Sequence, residues 1–446
     1  MPFSALGLPE SVTRGVRAAG YSTPTPIQTR AIPLILPGHD LVAAAQTGSG
    51  KTAAYLLPIL ARLIEGPRAL RALILVPTRE LAAQVEECAR DYSRYTGVRS
   101  GAVYGGVPIA PQERMIRNQG VEILVATPGR LLDLAGRHSV SLDEVEVLVL
   151  DEADRMVDMG FAPDLRRILK LLPTDRQTLM FSATMPPELN KVASEALNHP
   201  KRVDLAPPSR PASGIAQSVY PVPRHLKVAL LDHLLEHSPD RTALVFTRTK
   251  HGADKLARQL KARGHDVGVL HGDRSQGQRE RALRDFKRGR VELLVATDIA
   301  SRGIDVDDIT HVVNFDVPMT PEDYVHRIGR TGRMNATGDA LTLMSPEERS
   351  DFNAIERFMG VTVRHVVMPD FDYKRAAEPK TASERSHGPE PRGRGGRRGV
   401  GERPRGATER TGSGPTVTFQ TPANGAATHG RKPKSGATDR RSRRRM

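Results

Sequence analysis

Short apolar runs alternate with amphipathic, helix-like segments in the first half of the chain. The runs are rich in Val, Leu and Ile and lie at residues 41–45, 72–76, 121–126, 145–150 and 178–181. Such runs are typical of strands that are buried on both faces of a sheet. Strands that alternate with helices favour a parallel sheet with crossover helices. This half of the chain is therefore predicted to form an α/β domain.

The pattern restarts after a proline-rich stretch, with later runs at residues 243–246, 267–270, 291–296, 311–315 and 340–344. The restart is also a sequence repeat. Residues 121–127 and 291–297 match at six of seven positions, at an offset of 170 residues. Two further matches lie close to this offset: residues 75–76 with 245–246, and 103–106 with 269–272. Together they indicate two copies of one fold.

We predict from this repeat a first domain at residues 1–205, a linker at 206–216 and a second domain at 217–372. Residues 373–446 are rich in Arg, Gly, Pro, Ser and Thr and have few large apolar side chains. Such a segment buries too little apolar surface to offset the entropy of ordering, so we expect a disordered tail. The predicted fold class is α/β, with two tandem parallel-sheet domains, a short linker and a basic tail.

The net charge of +15 lies almost wholly in this tail. Residues 373–446 hold 19 Lys/Arg and 6 Asp/Glu, which leaves 47 basic and 45 acidic residues for the rest of the chain. Charge alone therefore indicates a polyanionic partner for the tail and not for the core. The single cysteine, Cys88, excludes an intramolecular disulfide and suits a reducing cytosol. We see no signal peptide and no membrane-spanning run, so we expect a soluble cytoplasmic protein without membrane contact.

A glycine-rich loop lies between the first apolar run and a helix-like segment at residues 53–63. Its residues are Ala45, Gln46, Thr47, Gly48, Ser49, Gly50, Lys51 and Thr52. Glycines at this spacing let backbone N–H groups and a helix N-terminus face phosphate oxygens, with Lys51 at the β/γ-phosphates and Thr52 on Mg²⁺. A glycine-rich turn without a ligand is the alternative. The order of strand, loop and helix favours a nucleotide-binding loop.

Carboxylates at the end of another predicted strand extend this site. Asp151 and Glu152 follow the run at 145–150 directly. A phosphate-binding loop needs a carboxylate for Mg²⁺ and a group beside the terminal phosphate that positions the attacking water. Asp151 is therefore the predicted metal partner and Glu152 the predicted water-positioning residue. Asp154 is either a further functional carboxylate or a structural link to the residues that follow it.

Asp-Glu-Ala-Asp at 151–154 is the motif that names the DEAD-box ATP-dependent RNA helicases, and the chain resembles this family from residue 3 to about residue 372. The resemblance implies two tandem RecA-like domains, ATP and Mg²⁺ as cofactors, and RNA as the partner. Gln28 matches the glutamine that recognises adenine in the family. A side-chain amide suits this role because it offers the paired donor and acceptor that adenine requires. Phe3 matches the family's isolated upstream aromatic, and an N-terminal core anchor is the alternative.

The resemblance assigns RNA-backbone contacts to residues that follow predicted strands in both domains. In the first domain they are Pro77, Thr78, Arg79, Gly105, Gly106, Thr127, Pro128, Gly129 and Arg130; in the second they are Gln276, Arg279, Thr297 and Asp298. Hydroxyls, turn N–H groups and arginines suit phosphate and sugar, so we expect little sequence specificity. Taken singly, each residue is typical of an ordinary turn or helix cap, but their joint occurrence favours RNA binding.

Further roles follow from the resemblance. Ser182, Thr184 and His326 are implied to couple ATP use to strand separation, with strand-end capping as the alternative for the two hydroxyls. Gly303 is implied to lie by the phosphates and Asp305 by the ribose. Arg330 and Arg333 are predicted arginine fingers, because planar, permanently charged guanidinium groups suit the charge of a phosphoryl transition state. A basic patch on RNA is the alternative for these two.

The resulting hypothesis is an RNA-dependent ATPase that locally opens short RNA duplexes or remodels RNA–protein complexes when ATP and RNA close its two domains. Only 20 residues separate Asp305 from His326, too few for the strand-separating hairpin of translocating relatives. Two alternatives stay open: an RNA-binding or annealing protein that acts through its tail, and a duplex-DNA translocase of the same superfamily. The opening residues 3–8 and the short end of the core most resemble the bacterial RhlE-like branch. Ribosome biogenesis and RNA degradation are the expected settings, with ribosomal precursor and messenger RNA both open as clients.

Overall fold

The computed structural model describes residues 2–44, 49–205, 214–238, 242–298, 309–332 and 337–376. Its strands form two seven-stranded sheets, and both sheets belong to one compact unit that spans Met1–Glu378. Among the helices of the described ranges, none has the length and apolar character needed to cross a bilayer.

The first sheet is fully parallel, in the order β3-β4-β2-β5-β6-β1-β7. Its strands are β1 (Leu41–Ala44), β2 (Ala72–Leu75), β3 (Ser100–Val103), β4 (Ile123–Ala126), β5 (Val147–Leu150), β6 (Gln177–Ser182) and β7 (Lys201–Asp204). Its helices are α1 (Glu10–Ala18), α2 (Pro26–Ile35), α3 (Lys51–Leu63), α4 (Arg79–Ser93), α5 (Ile109–Gln119), α6 (Pro128–Gly136), α7 (Ala153–Asp158), α8 (Ala162–Leu169) and α9 (Pro187–Ala196). A 3-10 turn at Phe3–Leu6 precedes α1.

Alternate residues of these strands enter two different cores. Ile74 and Val149 pack with helices α1–α4, whereas Leu75 and Leu150 pack with helices α5–α9. Side chains of successive strand residues point to opposite faces of a sheet. Because each face is covered by helices, the central strands are apolar at every position, which explains the continuous apolar runs in the sequence.

The second sheet is also fully parallel, in the order β10-β11-β9-β12-β13-β8-β14. Its strands are β8 (Ile215–Pro221), β9 (Ala243–Phe246), β10 (Val267–Leu270), β11 (Leu293–Ala296), β12 (His311–Asn314), β13 (Gly338–Met344) and β14 (Arg364–His365). Its helices are α10 (Lys227–Glu236), α11 (Lys250–Ala262), α12 (Gln276–Lys287), α13 (Pro321–Ile328) and α14 (Arg349–Met359), with 3-10 turns at Arg224–Leu226 and Pro346–Glu348.

The two sheets have the same topology. Adding seven to each strand number of the first sheet gives the order of the second, so the predicted internal repeat and the α/β fold class are confirmed. The repeated sequence segments lie in equivalent strands, β4 with β11 and β2 with β9. In both sheets the carboxyl ends of the parallel strands meet at one edge, where α/β proteins place their ligands.

The segments between and after the sheets differ in detail from the sequence prediction. The first sheet ends at Asp204 and β8 begins at Ile215, two residues inside the predicted linker 206–216. Within that linker, residues 206–213 lie outside the described ranges. Residues 373–376, the start of the predicted tail, are described, and the ring of Tyr373 packs on that of Phe371 at 5.0 Å. The remaining tail, 377–446, lies outside the described residues.

Candidate nucleotide and RNA site

The nucleotide loop is described only at its end, because Ala45, Gln46, Thr47 and Gly48 lie outside the described residues. Ser49 and Gly50 lead into α3, which begins at Lys51. Gly50 has a φ of 89°, and a Cβ there would lie 2.5 Å from Gln28 Nε2. The chain therefore needs glycine at this turn, both for its backbone conformation and for the close approach of Gln28. The N-terminus of α3 suits a phosphate group.

Gln28 joins this loop to α2. Its Nε2 donates to Gly50 O at 3.0 Å, and its Oε1 accepts from Thr25 N at 2.9 Å. An amide carries two donor hydrogens and two acceptor lone pairs, so one of each is left for a ligand. Adenine reading by Gln28 stays a prediction. Phe3 is buried in the core of the first sheet, which agrees with the core-anchor alternative, and its contact with adenine also stays a prediction.

Asp151 lies at the carboxyl end of β5 and is 3% exposed. Its Oδ2 accepts a hydrogen bond from the hydroxyl of Tyr55 at 2.9 Å, and its Oδ1 accepts from Glu152 N at 2.9 Å. Burial raises the pKa of Asp151, and the positive charge of Lys51 opposes that rise. Sequence reasoning missed Tyr55. The signal was its position four residues after Lys51, which places both side chains on one face of α3.

Glu152 connects the two halves of the site. It has a φ of 50°, and its carboxylate pairs with Arg155 Nη1 at 3.0 Å. Burial alone would raise the pKa of Glu152, but the positive charges of Arg155, Arg330 and Lys51 outweigh burial and lower it. Arg330 follows α13 of the second sheet, so a cation from the second half of the chain acts on a carboxylate of the first.

The donor set at this edge fits a Mg²⁺ ion. Thr52 supplies a hydroxyl oxygen one residue after Lys51, and Asp151 supplies a buried carboxylate. Hard oxygen donors of this kind are what Mg²⁺ prefers. A buried carboxylate is costly unless it is paired or binds a metal, which gives Asp151 a physical reason to face a cation.

Asp154 is a structural link, the alternative that the sequence left open. Its Oδ2 accepts from Ala183 N at 3.0 Å, from Thr184 N at 2.8 Å and from Thr184 Oγ1 at 3.0 Å. Asp154 N in turn donates to Ser182 Oγ at 3.1 Å. The start of α7 is therefore tied to the end of β6 by hydrogen bonds. The role of Ser182 and Thr184 in coupling stays a prediction.

Arg79 lies over the glycine pair at the end of β3. A Cβ on Gly106 would lie within van der Waals overlap of the Arg79 guanidinium, and Gly106 has a φ of 79°. A Cβ on Gly105 would lie 3.9 Å from Arg79 Nη2. Thr78, which follows Pro77, caps α4 by accepting from Leu81 N at 3.3 Å. The structure therefore brings these predicted RNA-binding residues together at the carboxyl ends of β2 and β3.

The predicted segment 127–130 begins α6 at the end of β4. Arg130 Nη2 donates to Val107 O at 3.0 Å, whereas its Nη1 is buried and has no hydrogen-bond partner among the described residues. Gly129 faces open space, since a Cβ there would meet nothing within 4 Å. Thr127 and Pro128 occupy the cap and first turn of the helix. The RNA contacts of these four residues stay predictions.

Helices α4 and α12 link the two sheets through a buried ion pair. Arg279 Nη2 lies 2.9 Å from Glu80 Oε2, with side-chain exposures of 10% and 4%. Gln276 adds long polar contacts of 3.5 Å to Glu80 Oε1 and to Arg79 Nη1. Gln276 and Arg279 were predicted to bind RNA, and that role stays a prediction. Glu80 was not selected from the sequence, where it is an ordinary acidic residue in a first helical turn.

Asp298 has a partner within its own domain. Its two oxygens accept from Arg327 Nε at 2.5 Å and Nη2 at 2.8 Å. Arg327 is buried and also donates to Asn314 Oδ1 at 3.1 Å. An ionised carboxylate cannot donate a hydrogen bond to phosphate. The pair with Arg327 therefore favours a structural role for Asp298, in which it holds the segment that follows β11. The RNA contacts of Asp298 and of Thr297, which follows β11, stay predictions.

The second-domain residues of the predicted ATP site are only partly described. Gly303, Asp305 and Arg333 lie outside the described residues. Arg330 is buried. Burial and the neighbouring Arg155 lower the pKa of His326 to about 3, so its imidazole is neutral at pH 7. The observed site is thus a cluster of carboxylates and cations drawn from both sheets.

Comparison with known families adds to this geometry. A family model described as DEAD/DEAH box helicase matches residues 25–192, and a model described as helicase conserved C-terminal domain matches residues 226–335. The first match covers the nucleotide loop and the carboxylates, and the second covers α13 and Arg330.

Individual relatives match most of the chain. It is 42% identical over 383 residues to the ATP-dependent RNA helicase CshA of Listeria monocytogenes, covering 86% of this chain and 74% of that protein. It is 44% identical over 369 residues to RNA helicase CrhR of Synechocystis, covering 82% and 75%. Its structure is similar to S. cerevisiae Dbp5 bound to RNA and ADP BeF3, with a TM-score of 0.75, 31% identity, and coverage of 82% of this chain and 95% of that one. It is also similar to Mss116p bound to ssRNA and AMP-PNP, with a TM-score of 0.74, 27% identity and coverage of 82% and 79%.

Proposed function

The chain belongs to the DEAD-box family of ATP-dependent RNA helicases, and we propose that it hydrolyses ATP to ADP and phosphate when RNA closes its two RecA-like domains on each other. One observation carries this proposal. Glu152 of the first domain is buried and paired with Arg155, and the buried Arg330 of the second domain lies near enough to act on the same carboxylate, so that Arg155 and Arg330 lower its pKa against the effect of burial. The hydrolytic site therefore has parts in both domains.

ATP binding is assigned to the first domain. Lys51 and the N-terminus of α3 face the phosphates, and Gln28 retains the donor and acceptor that adenine needs. Thr52 and Asp151 are the residues that would hold Mg²⁺. When bound, this ion supplies positive charge that offsets the charge of the terminal phosphates.

Glu152 and Arg330 divide the chemical step between the domains. Because the surrounding cations lower the pKa of Glu152, its carboxylate is ionised at neutral pH and orients the attacking water by accepting a hydrogen bond from it. The planar guanidinium of Arg330 suits the charge that spreads over the transferred phosphoryl group, with Arg333 as the second proposed finger. An arginine finger contributes about 10³–10⁵ in rate.

RNA is assigned to the groups that follow the strands at the same edge. Arg79, Arg130 and the glycines beside them offer N–H donors to phosphate oxygens, and such contacts position a strand without reading its sequence. RNA that spans both domains favours the closed form because it binds that form better than the open one. Closure that bends one strand opens a short duplex locally, and remodelling of RNA–protein complexes follows from the same movement.

From the sequence we further propose that the two domains span residues 1–205 and 217–372 and that the tail begins at residue 373. We also propose that the protein belongs to the RhlE-like branch, lies in the cytoplasm, and acts in ribosome biogenesis and RNA degradation. The basic tail is proposed to add nonspecific RNA binding through its arginines.

Phosphate release by the full chain tests the proposed function. It is measured without nucleic acid, with single-stranded RNA, and with DNA of the same sequence. RNA is expected to stimulate hydrolysis and DNA is not, because the 2′-OH distinguishes the two at backbone contacts. Equal rates in all three conditions would refute RNA-driven closure. In a parallel strand-separation assay, unwinding of long duplexes without dissociation would refute local opening.

A further inference from the structure

Three potential metal ligands lie together at the end of α10, in the second domain. One ligand atom from each of His233, Glu236 and His237 lies within 4.8 Å of the other two. Their spacing of three and four residues places all three on one face of the helix. Glu236 and His237 are exposed and His233 is partly buried, so an ion can reach them from solvent. None of them belongs to the ATP or RNA motifs.

The hydrogen bond of His237 prepares this ring for metal binding. His237 Nδ1 lies 2.7 Å from His233 O. A carbonyl oxygen only accepts, so Nδ1 carries the hydrogen and Nε2 keeps its lone pair in the neutral ring. Metal-binding histidines commonly donate their second ring nitrogen to a backbone carbonyl, which fixes both tautomer and orientation.

Ring packing restrains His233 as well. Its ring centroid lies 4.2 Å from that of His237 and 5.8 Å from that of Phe371. A side chain that is already held loses less rotamer entropy when it binds a ligand. The ring contact of His233 therefore connects α10 to the segment around Phe371, and Phe371 packs against the core of the second sheet.

The position of the cluster in the fold favours a cation and separates it from the catalytic edge. Helix α10 ends at Glu236, and the C-terminus of a helix attracts positive charge. Ser238 Oγ lies 3.3 Å from Nε2 of His311, the first residue of β12. The cluster is thus beside the starts of the strands, whereas the ATP and RNA motifs follow their ends.

We propose that His233, Glu236 and His237 form a binding site for one divalent transition-metal ion of the Zn²⁺ type. Two imidazoles and one carboxylate are a ligand set that suits Zn²⁺, with a fourth position left for water at the exposed surface. Mg²⁺ and Ca²⁺ prefer sites made of oxygen ligands, so the same cluster discriminates against the ion of the ATP site. This site is independent of the proposed function.

Competition for Zn²⁺ between the protein and a chromogenic chelator tests the proposal. The full chain is prepared without a histidine tag, stripped of metal, and titrated in millimolar Mg²⁺. The wild type is expected to bind one equivalent at this site. His237→Ala is expected to lower the affinity at least about tenfold, and Glu236→Gln to lower it less. His251→Ala is the matched control, since His251 is an exposed histidine on the neighbouring helix α11.

Two further readouts make the outcome decisive. Co²⁺, as a spectroscopic probe, is expected to give the visible bands of a nitrogen- and oxygen-ligated ion in the wild type and in His251→Ala but not in His237→Ala. RNA-stimulated ATPase is expected to be the same in all variants, which shows that each is folded. Equal Zn²⁺ affinity in the wild type and His237→Ala, or an equal loss in His251→Ala, would overturn the site.

Discussion

Asp151 owes its position to a residue that is not part of any recognised motif. The hydroxyl of Tyr55 donates to Asp151 Oδ2 at 2.9 Å, and the Tyr55 ring packs on Phe181 with centroids 5.2 Å apart. Burial and the neighbouring carboxylate raise the pKa of Tyr55, so the hydroxyl stays protonated and donates. The proposed metal ligand is therefore held by a fixed hydrogen bond from α3, the same helix that begins with Lys51.

Tyr55→Phe is expected to lower stability while it keeps the ring in the core. A hydrogen bond to a charged group contributes about 1.5–3 kcal/mol, so the thermal midpoint should fall measurably. We also expect a higher Mg²⁺ concentration for half-maximal nucleotide binding, because Asp151 loses a partner that orients it. Tyr95→Phe serves as the control, since Tyr95 is exposed and its ring lies under Arg14. Equal effects of the two substitutions would contradict a positioning role for Tyr55.

Individual residues were predictable only where a local pattern carries the chemistry. Lys51, Asp151 and Glu152 lie in short motifs whose spacing alone implies their roles. Tyr55 and Glu80 act through partners that are 96 and about 200 residues away in the chain. The position of Tyr55 one helical turn after Lys51 is a local signal, but no local pattern identifies Asp151 or Arg279 as the partner. Asp154 was ambiguous for the same reason, because its partners lie at 182–184.

At the scale of elements, the contact between α4 and α12 rests on the buried pair of Glu80 and Arg279. Burial in this contact lowers the pKa of Arg279, whereas Glu80 opposes that change. A buried ion pair stabilises a contact little more than apolar side chains of similar volume would. Removal of one partner, however, leaves the other charge buried without compensation. The pair therefore makes closure sensitive to either residue.

Arg279→Gln is expected to raise the RNA concentration that half-saturates the ATPase, with ATP affinity of the first domain unchanged. The cost is about 3–5 kcal/mol of closure energy, because Glu80 stays buried without a counter-charge. In Glu80→Gln/Arg279→Gln part of that loss should return, and a double-mutant cycle measures the coupling.

The exposed pair of Arg166 and Glu195, 3.0 Å apart on the first domain, is the matched control. Surface pairs of this kind contribute about 0–1 kcal/mol, so Arg166→Gln should change neither RNA nor ATP dependence. If Arg279→Gln behaved like this control, the buried pair would have no part in closure.

Whole elements were predictable where burial imposes a pattern. The central strands read as apolar runs because helices cover both faces, and the predicted runs agree with β1, β2, β4, β5 and β6. The edge strands β3, β7 and β14 were missed, and so was β8, which lies between β13 and β14. In β7 only Val203 is buried, so its sequence carries neither a continuous run nor a full alternation. Such edges form because a neighbouring strand offers hydrogen bonds, which a sequence pattern does not reveal.

For the molecule as a whole, we predict that His326 links domain closure to pH. In the described structure burial and Arg155 lower its pKa to about 3, whereas an exposed histidine titrates near about 6.5. Opening that exposes the His326 ring to solvent would raise its pKa towards the latter value, so the open form would bind more protons between the two values, and closure is predicted to weaken as the pH falls below about 6.5.

Fluorescence energy transfer between labels on the two domains, with RNA and a nonhydrolysable ATP analogue, measures this effect. The closed population is expected to fall between pH 7.5 and pH 5.5 in the wild type and to fall less in His326→Gln, whose amide does not titrate in this range. An identical pH response in both proteins would exclude His326 as the titrating group.

Deletion of residues 376–446 tests the role of the basic tail. The removed segment carries most of the net charge, and each phosphate contact adds to the salt dependence of binding. RNA affinity at low salt is expected to fall and its salt slope to flatten, while the maximal ATPase rate stays the same. Unchanged RNA affinity at low salt would leave the tail with a solubilising role only.

The most direct test of the composite site is phosphate release, with and without RNA, in the wild type and in Arg330→Ala. Arg330 is supplied by the second domain, so the account predicts that RNA stimulates the wild type and fails to stimulate the variant. The stimulated rate should fall by about 10³–10⁵, with ATP affinity within a few-fold and an intact second domain by thermal unfolding. Stimulation of Arg330→Ala to the wild-type rate would contradict a site completed by closure.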